Sequence, residues 1–209
     1  MMTKINTNTP ILIDLPMPIE TDRLIIREPR FGDGEALHKA KIETWNTLHE
    51  WMPWAKEPST IQDDEIVMRE AHIKFLQRTD LMMVAFEKAT GNFVGGTGLH
   101  RFDWETRFVE IGYWCKQSLQ GKGYATEITK ALIRFAVDAL DAPKVIICHA
   151  DGNEGSKRVI QKCGFDFEYT IKNQGVLPDG KIVDEHFYSV ANADHLRGFN
   201  VQWGRQLTS

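Results

Sequence analysis

Cysteine is scarce: Cys115, Cys148 and Cys163 are the only three in 209 residues, and an odd number makes no closed disulfide framework. Two fall in apolar strand-like runs and one on the apolar face of a helix, so they read as buried thiols in a reducing compartment, with no local signature of a cysteine nucleophile. Long apolar runs are absent too. Nothing approaches the roughly 18 consecutive apolar residues of a membrane span, and the polar, proline-bearing start (Pro10, Pro16, Pro18) lacks a basic segment followed by a long apolar core. The expectation is a cytoplasmic protein with no membrane partner. Seven histidines are scattered without His-x-x-x-His spacing and the cysteines without Cys-x-x-Cys, so no metal is expected. An excess of positive charge is missing as well: 25 Lys and Arg against 29 Asp and Glu give a net charge of −4, which disfavours generic nucleic-acid binding.

What is present centres on Leu119-Gln120-Gly121-Lys122-Gly123-Tyr124-Ala125-Thr126-Glu127. A strand-like run, Phe108 to Cys115, precedes it. A helical run follows, with Ile128, Leu132, Phe135, Ala136 and Ala139 at one-face spacing. A glycine-rich loop turning directly into a helix presents unpaired backbone N–H groups at the positive end of the helix dipole, which suits a phosphate. Gly121 and Gly123 let the backbone approach closely, and Lys122 adds a charge. The spacing is neither G-x-x-x-x-G-K-[ST] nor G-x-G-x-x-G, so a nucleoside-triphosphatase or dinucleotide reading is not supported. One strand later, after Lys144 to Ala150, comes a short helix capped by Asn153 and ended by Gly164, with Val159, Ile160 and Cys163 on its apolar face.

Gln120-x-x-Gly123-x-Ala125 resembles the acetyl-CoA pyrophosphate loop of the GNAT superfamily of N-acetyltransferases, and the Asn153 helix with its Lys162-Cys163-Gly164-Phe165 ending resembles the helix after that family's fifth strand. The Thr21-x-Arg23-Leu24 start and Trp51-Met52-Pro53-Trp54 are similar to the ribosomal-protein N-terminal acetyltransferases within it. The resemblance covers about residues 19 to 190. It implies an α/β (α+β) GNAT fold: a central, twisted, mixed and mostly antiparallel seven-stranded sheet flanked by about four helices.

The residue patterns place those elements. Strands are expected at Glu20 to Arg27, Leu81 to Glu87, Phe93 to Phe102, Phe108 to Cys115, Lys144 to Ala150, Phe165 to Lys172 and Val183 to Val190. Helices are expected from Gly34 to about His49, from a Ser59-x-x-Gln62 capping box to about Arg78 with Val67, Ala71 and Phe75 on one face, from Gly123, and from Asn153. Residues 1–18 read as a loosely tethered extension, 19–190 as the domain, and 191–209 as a C-terminal extension.

Resemblance also assigns a site. Acetyl-CoA is the implied cosubstrate, held by Gln120, Gly121, Lys122, Gly123, Tyr124, Ala125 and Thr126, by Asn153 and Ser156, and by free backbone N–H groups at Trp114, Cys115 and Lys116 that receive the pantetheine and polarise the thioester carbonyl. Lys157 and Arg158 either meet the CoA 3′-phosphate or form a solvated helix face. Glu110 shares a strand face with Gly112 and Trp114; it is either the general base, acting through water, or the partner of an arginine such as Arg101 or Arg107. Many relatives protonate the departing thiolate with a tyrosine seven residues after the capping Asn, but this chain has Ile160 there; Ser156 is the substitute acid, or only helix-start polarity. Trp51 and Trp54 either wall the acceptor site or plug the core. The expected reaction is direct acetyl transfer to a primary amine: a protein N-terminal α-amine, or alternatively a small-molecule amine. A non-catalytic acetyl-CoA-binding module is a third reading. The protein is expected to be a monomer or homodimer.

Overall fold

The computed structural model describes residues 9–204. Nine strands form one sheet: β1 (Ile19–Glu20), β2 (Leu24–Arg27), β3 (Leu81–Glu87), β4 (Phe93–Asp103), β5 (Phe108–Tyr113), β6 (Val145–Ala150), β7 (Asp166–Val176), β8 (Ile182–Val190) and β9 (Gln202–Trp203). Their order is β7-β8-β6-β5-β4-β3-β2-β1-β9. Every pairing is antiparallel except β5 with β6. The helices are α1 (Gly34–Glu43), α2 (Trp45–Trp51), α3 (Ile61–Gln77), α4 (Tyr124–Arg134) and α5 (Glu154–Lys162).

The seven expected strands are all there, and two more lie at one end. The two-residue strands β1 and β9 pair with each other, so the C-terminal stretch returns to the sheet instead of trailing from it. Strands this short carry no periodic signal, which is why the sequence did not show them. Five helices stand where four were expected, because the first breaks at Thr44. That residue is buried, with φ −102 and ψ 6, and its hydroxyl accepts a hydrogen bond from the Gln117 N–H at 2.9 Å. The break therefore docks on the segment leading into the glycine loop.

The capping box of α3 is Thr60 with Asp63, one residue later than the Ser59 pattern; the Ser59 hydroxyl bonds to Asp64. Its buried face is Asp64, Met68, Ala71 and Phe75, while Val67 is exposed. Upstream, the described part of the N-terminal arm is docked: Ile13 is buried and its carbonyl accepts from Arg78 Nη2 at 2.7 Å.

Two apolar clusters sandwich the sheet. On one face Ile128, Leu132 and Ile133 of α4 and Ile160 of α5 pack against Leu99, Val109, Ile111, Val145 and Ile147. On the other, Leu37, Ala40, Leu48 and Met68 of α1 to α3 pack against Val84, Phe93 and Trp114. Ile128, Leu132 and Phe135 have no exposed surface, and burying each contributes about 1.5–3 kcal/mol. This fixes the axis of α4, and with it the loop at its start. β5 and β6 pair only at Val109 with Val145 and Glu110 with Ile146, then diverge. The opening between them is where the site lies.

Candidate active site

A cavity of about 490 Å³ occupies that divergence, lined by Tyr113 to Cys115, Leu119 to Gly121, Gly123 to Thr126, Gly152 to Ser156, and by Thr44, Thr47, Leu48, Trp51 and Met52 from α2 and its flanks. The glycine loop forms one wall. Gly121 (φ 72) and Gly123 (φ 84) both sit in the left-handed region that favours glycine, and Gly123 is the N-cap of α4. Among the described residues, the six backbone N–H groups from Gly121 to Thr126 donate to no protein acceptor; the Glu127 N–H is the first to close the helix, onto the Gly123 carbonyl at 3.0 Å. Six open donors at a helix N-terminus make an anion seat, and an added Cβ at Gly121 or Gly123 would need a strained backbone.

A buried carboxylate braces this seat. Glu127 accepts from the Thr21 hydroxyl at 2.5 Å, the Arg23 N–H at 3.2 Å and Arg23 Nε at 2.6 Å. Arg23 also bonds the Lys122 carbonyl at 3.1 Å and stacks over the Tyr124 ring, whose hydroxyl donates to Glu87. The Leu24 N–H closes back on the Thr21 hydroxyl at 3.0 Å. Thr21-x-Arg23-Leu24 thus ties the edge of the sheet to the loop.

The strand wall differs from expectation in detail. The Trp114 N–H donates to Gly96 C=O at 2.9 Å and the Lys116 N–H to Val94 C=O at 2.8 Å, so both are spent on β4. Antiparallel alternation turns the N–H of Cys115 the other way, to the side that β6 has left, where it has no partner among the described residues. Cys115 is therefore the residue of the three whose amide is free. Lys116 lies outside the cavity lining, its ammonium paired with Glu43 at 3.0 Å, and Lys122 also lies outside it. The Gln120 side chain lines the cavity and donates to the Cys115 carbonyl at 3.1 Å.

Opposite, Asn153 caps α5 by accepting the Ser156 N–H at 3.0 Å. The Ser156 hydroxyl is 3.1 Å from the Tyr113 hydroxyl, a contact that no sequence motif marks. Burial pushes the Tyr113 phenol well up, so at neutral pH it holds its proton. Ile160, in the position where a tyrosine was sought, is fully buried in the core; Tyr113 brings a phenol to the cavity from β5 instead. Its place on the diverging strand, next to Trp114 and Cys115, was the available signal. Arg158 and Lys162, one turn apart on α5, also line the cavity, whereas Lys157 faces Glu154 at 3.7 Å. Burial pushes the thiols up, Cys115 to about 11 and Cys148 and Cys163 to about 12, so none is a ready nucleophile.

Trp51 lines the cavity. Trp54, half exposed, stands against Trp114 with ring centroids 6.4 Å apart and lies outside the lining. Glu110 is outside it too: its Oε2 accepts from Arg101 Nη1 at 2.8 Å, and the Cys148 thiol lies 3.7 Å from its Oε1. Among the described residues, no group of three potential metal ligands occurs, and no helix is long and apolar enough to cross a membrane.

A glycine loop with six open amides ahead of a helix, set in the divergence of two parallel strands, matches one family over most of the chain: residues 23–166 fit the acetyltransferase (GNAT) domain. The chain belongs to the GNAT acetyltransferase family. Its activity is acetyl transfer from acetyl-CoA to an amine. This GNAT acetyltransferase is 31% identical over 166 residues, 78% of its length and 87% of the relative's, to YdaF of Bacillus subtilis (strain 168), provisionally named a ribosomal N-acetyltransferase. It is 27% identical to the ribosomal-protein-serine acetyltransferase of Escherichia coli (strain K12), over 66% of its own length and 75% of that protein's. The ribosomal L7/L12 alpha-N-protein acetyltransferase RimL, solved with coenzyme A, superposes with a TM-score of 0.76 over 83% of this chain and 96% of that one, at 18% identity.

Proposed function

We propose that this acetyltransferase acts on a protein N-terminal α-amine in the cytoplasm, without a covalent enzyme intermediate. The observation that carries the reading is the row of open amides at the start of α4, facing the cavity between β5 and β6, in a chain two of whose relatives are named for ribosomal proteins. Bound acetyl-CoA supplies an activated acetyl thioester. The amides of Gly121 to Thr126 are suited to its pyrophosphate, Arg158 and Lys162 to a further phosphate, and the free Cys115 N–H to the thioester carbonyl.

The hydrogen-bonded Tyr113–Ser156 pair is the proposed proton source for the departing thiolate. Tyr113 serves as the donor and Ser156 as its hydrogen-bonded relay, which gives Ser156 its catalytic role without a strong acid of its own. Glu110, on the same strand as Tyr113 but on the opposite sheet face, is assigned to the acceptor side, where its carboxylate, held by Arg101, attracts the incoming ammonium. An α-amine, with a pKa of about 7.7–8.0 against about 10.4 for lysine, needs little help to be neutral.

The test is the initial rate of thiol release with N-terminal peptides beginning with Ser, Ala or Met, compared with polyamines and aminoglycosides at equal concentration. Peptides are expected to turn over at least about tenfold faster in kcat/KM, with Ser156→Ala and Tyr113→Phe each lowering kcat by about tenfold or more. Turnover confined to small amines would replace the proposal by the small-molecule reading, and binding without any transfer would replace it by the regulatory one.

A further inference from the structure

The sheet face that carries Glu110 continues away from the cavity along β4 and β5, outside the cavity lining. On it lie Gly98 on β4 and Gly112 on β5, directly paired, and Trp114, which lines the cavity, stands two residues beyond Gly112 on the same face. The next pair along is His100 opposite Glu110. The imidazole of His100 lies over both glycines: a Cβ at Gly98 would come within 2.9 Å of Cε1 and Nε2, and one at Gly112 within 3.1 Å of Nε2. Gly112 is thus required by the ring's position, and Gly98 by the Leu81 carbonyl, 2.7 Å from such a Cβ, as well as by the ring.

The ring is also oriented. Nδ1 lies 2.7 Å from Asp80 Oδ1, and an ionised carboxylate only accepts, so in the neutral ring the proton sits on Nδ1 and the lone pair on Nε2. Nε2 has no partner among the described residues, and the side chain is about one-third exposed. Glu110 differs in that both of its oxygens are engaged, by Arg101 and by the Cys148 thiol.

We propose that His100, oriented by Asp80, is the general base that deprotonates the acceptor amine. This deepens the α-amine transferase reading and rests on it. The N–H bond of the acceptor breaks, its electron pair stays on nitrogen, and the proton passes to His100 Nε2, directly or through one water; the imidazolium keeps its Nδ1–H on Asp80. Glu110 then acts as the fixed negative charge beside the amine. The other titratable or charged groups that interact with Glu110 are Arg101 on β4, Cys148 on β6 and Glu185 on β8. Burial holds the Cys148 thiol neutral and raises Glu185, with Glu110 adding to the rise and Arg101 opposing it.

The experiment is the pH profile of kcat/KM on the best N-terminal peptide for the wild type, His100→Asn, Asp80→Asn, Gly112→Ala and Glu110→Gln, with CoA affinity as the control for folding. His100→Asn is expected to lose about a hundredfold at pH 7 and to recover most of it near pH 9, above the amine's own pKa of about 8. Asp80→Asn and Gly112→Ala, which disturb only the ring's placement, are expected to lose less, and Glu110→Gln to keep the acid limb. A deficit in His100→Asn that is independent of pH, or an acid limb lost only in Glu110→Gln, overturns the proposal. A second readout does not depend on turnover: imidazole 15N shifts of the CoA complex are expected to show Nε2 unprotonated in the neutral ring. Nε2–H there overturns the dyad while leaving the transferase reading intact, whereas no transfer to any amine by the wild type overturns both.

Discussion

Gly123→Val is expected to abolish useful acetyl-CoA binding, raising the Kd by about a hundredfold or more while the fold survives. Gly123 has φ 84, a region that a β-branched residue enters only with strain of about 1–3 kcal/mol. Relieving that strain would turn the peptide and misdirect several of the amides from Gly121 to Thr126. Each charge-assisted bond to a phosphate is worth about 1.5–3 kcal/mol, so losing one or two accounts for the factor of a hundred. The residue itself is exposed and nothing in the apolar clusters depends on it. Calorimetric titration with CoA, beside a thermal melt of the ligand-free protein, separates the two effects. An unchanged Kd would mean that the pyrophosphate sits elsewhere.

Glu127→Ala is expected to be the most damaging single change to stability among the site residues. The carboxylate is the shared acceptor for the Thr21 hydroxyl, the Arg23 amide and the Arg23 guanidinium, and only 10% of its side chain is exposed. Water can reach Arg23, which is 43% exposed, but hardly Thr21, so the cost falls short of that for a fully buried ion pair. About 2–3 kcal/mol is expected, lowering Tm by roughly 4–12 °C in a domain of this size. CoA affinity should fall with it, by about tenfold, since Arg23 also holds the Lys122 carbonyl. A melt that is unchanged would show that the sheet edge and the glycine loop are not coupled through this residue.

The glycine loop, the Asn153 cap and seven strands were legible because each is written locally: positive-φ glycines before an amphipathic helix, a side-chain cap, alternating apolar residues. The break at Thr44 was not, since it depends on an amide 73 residues away. Nor were β1 and β9, two-residue strands defined only by their partners: β2 and β9 for the one, β1 for the other. The cavity-side assignments divided along the same line. That the amides of Gly121 to Thr126 are open follows from a local loop-to-helix pattern, but whether those of Trp114, Cys115 and Lys116 are open depends on the register with β4. Tyr113 carries no local signal because its partner, Ser156, lies 43 residues further on, and His100 none because Asp80 lies just ahead of β3 and Gly112 on β5. Chemistry assembled across strands leaves no spacing in the chain.

The most direct measurement is where the acetyl group goes. Purified protein, acetyl-CoA and a peptide bearing both a free N-terminal serine and an internal lysine should be incubated at pH 7.5 and the product fragmented in a mass spectrometer. A single acetyl on the α-nitrogen, absent with an N-terminally blocked peptide, is the predicted result. Acetylation at the lysine, or of a polyamine but not the peptide, would contradict it.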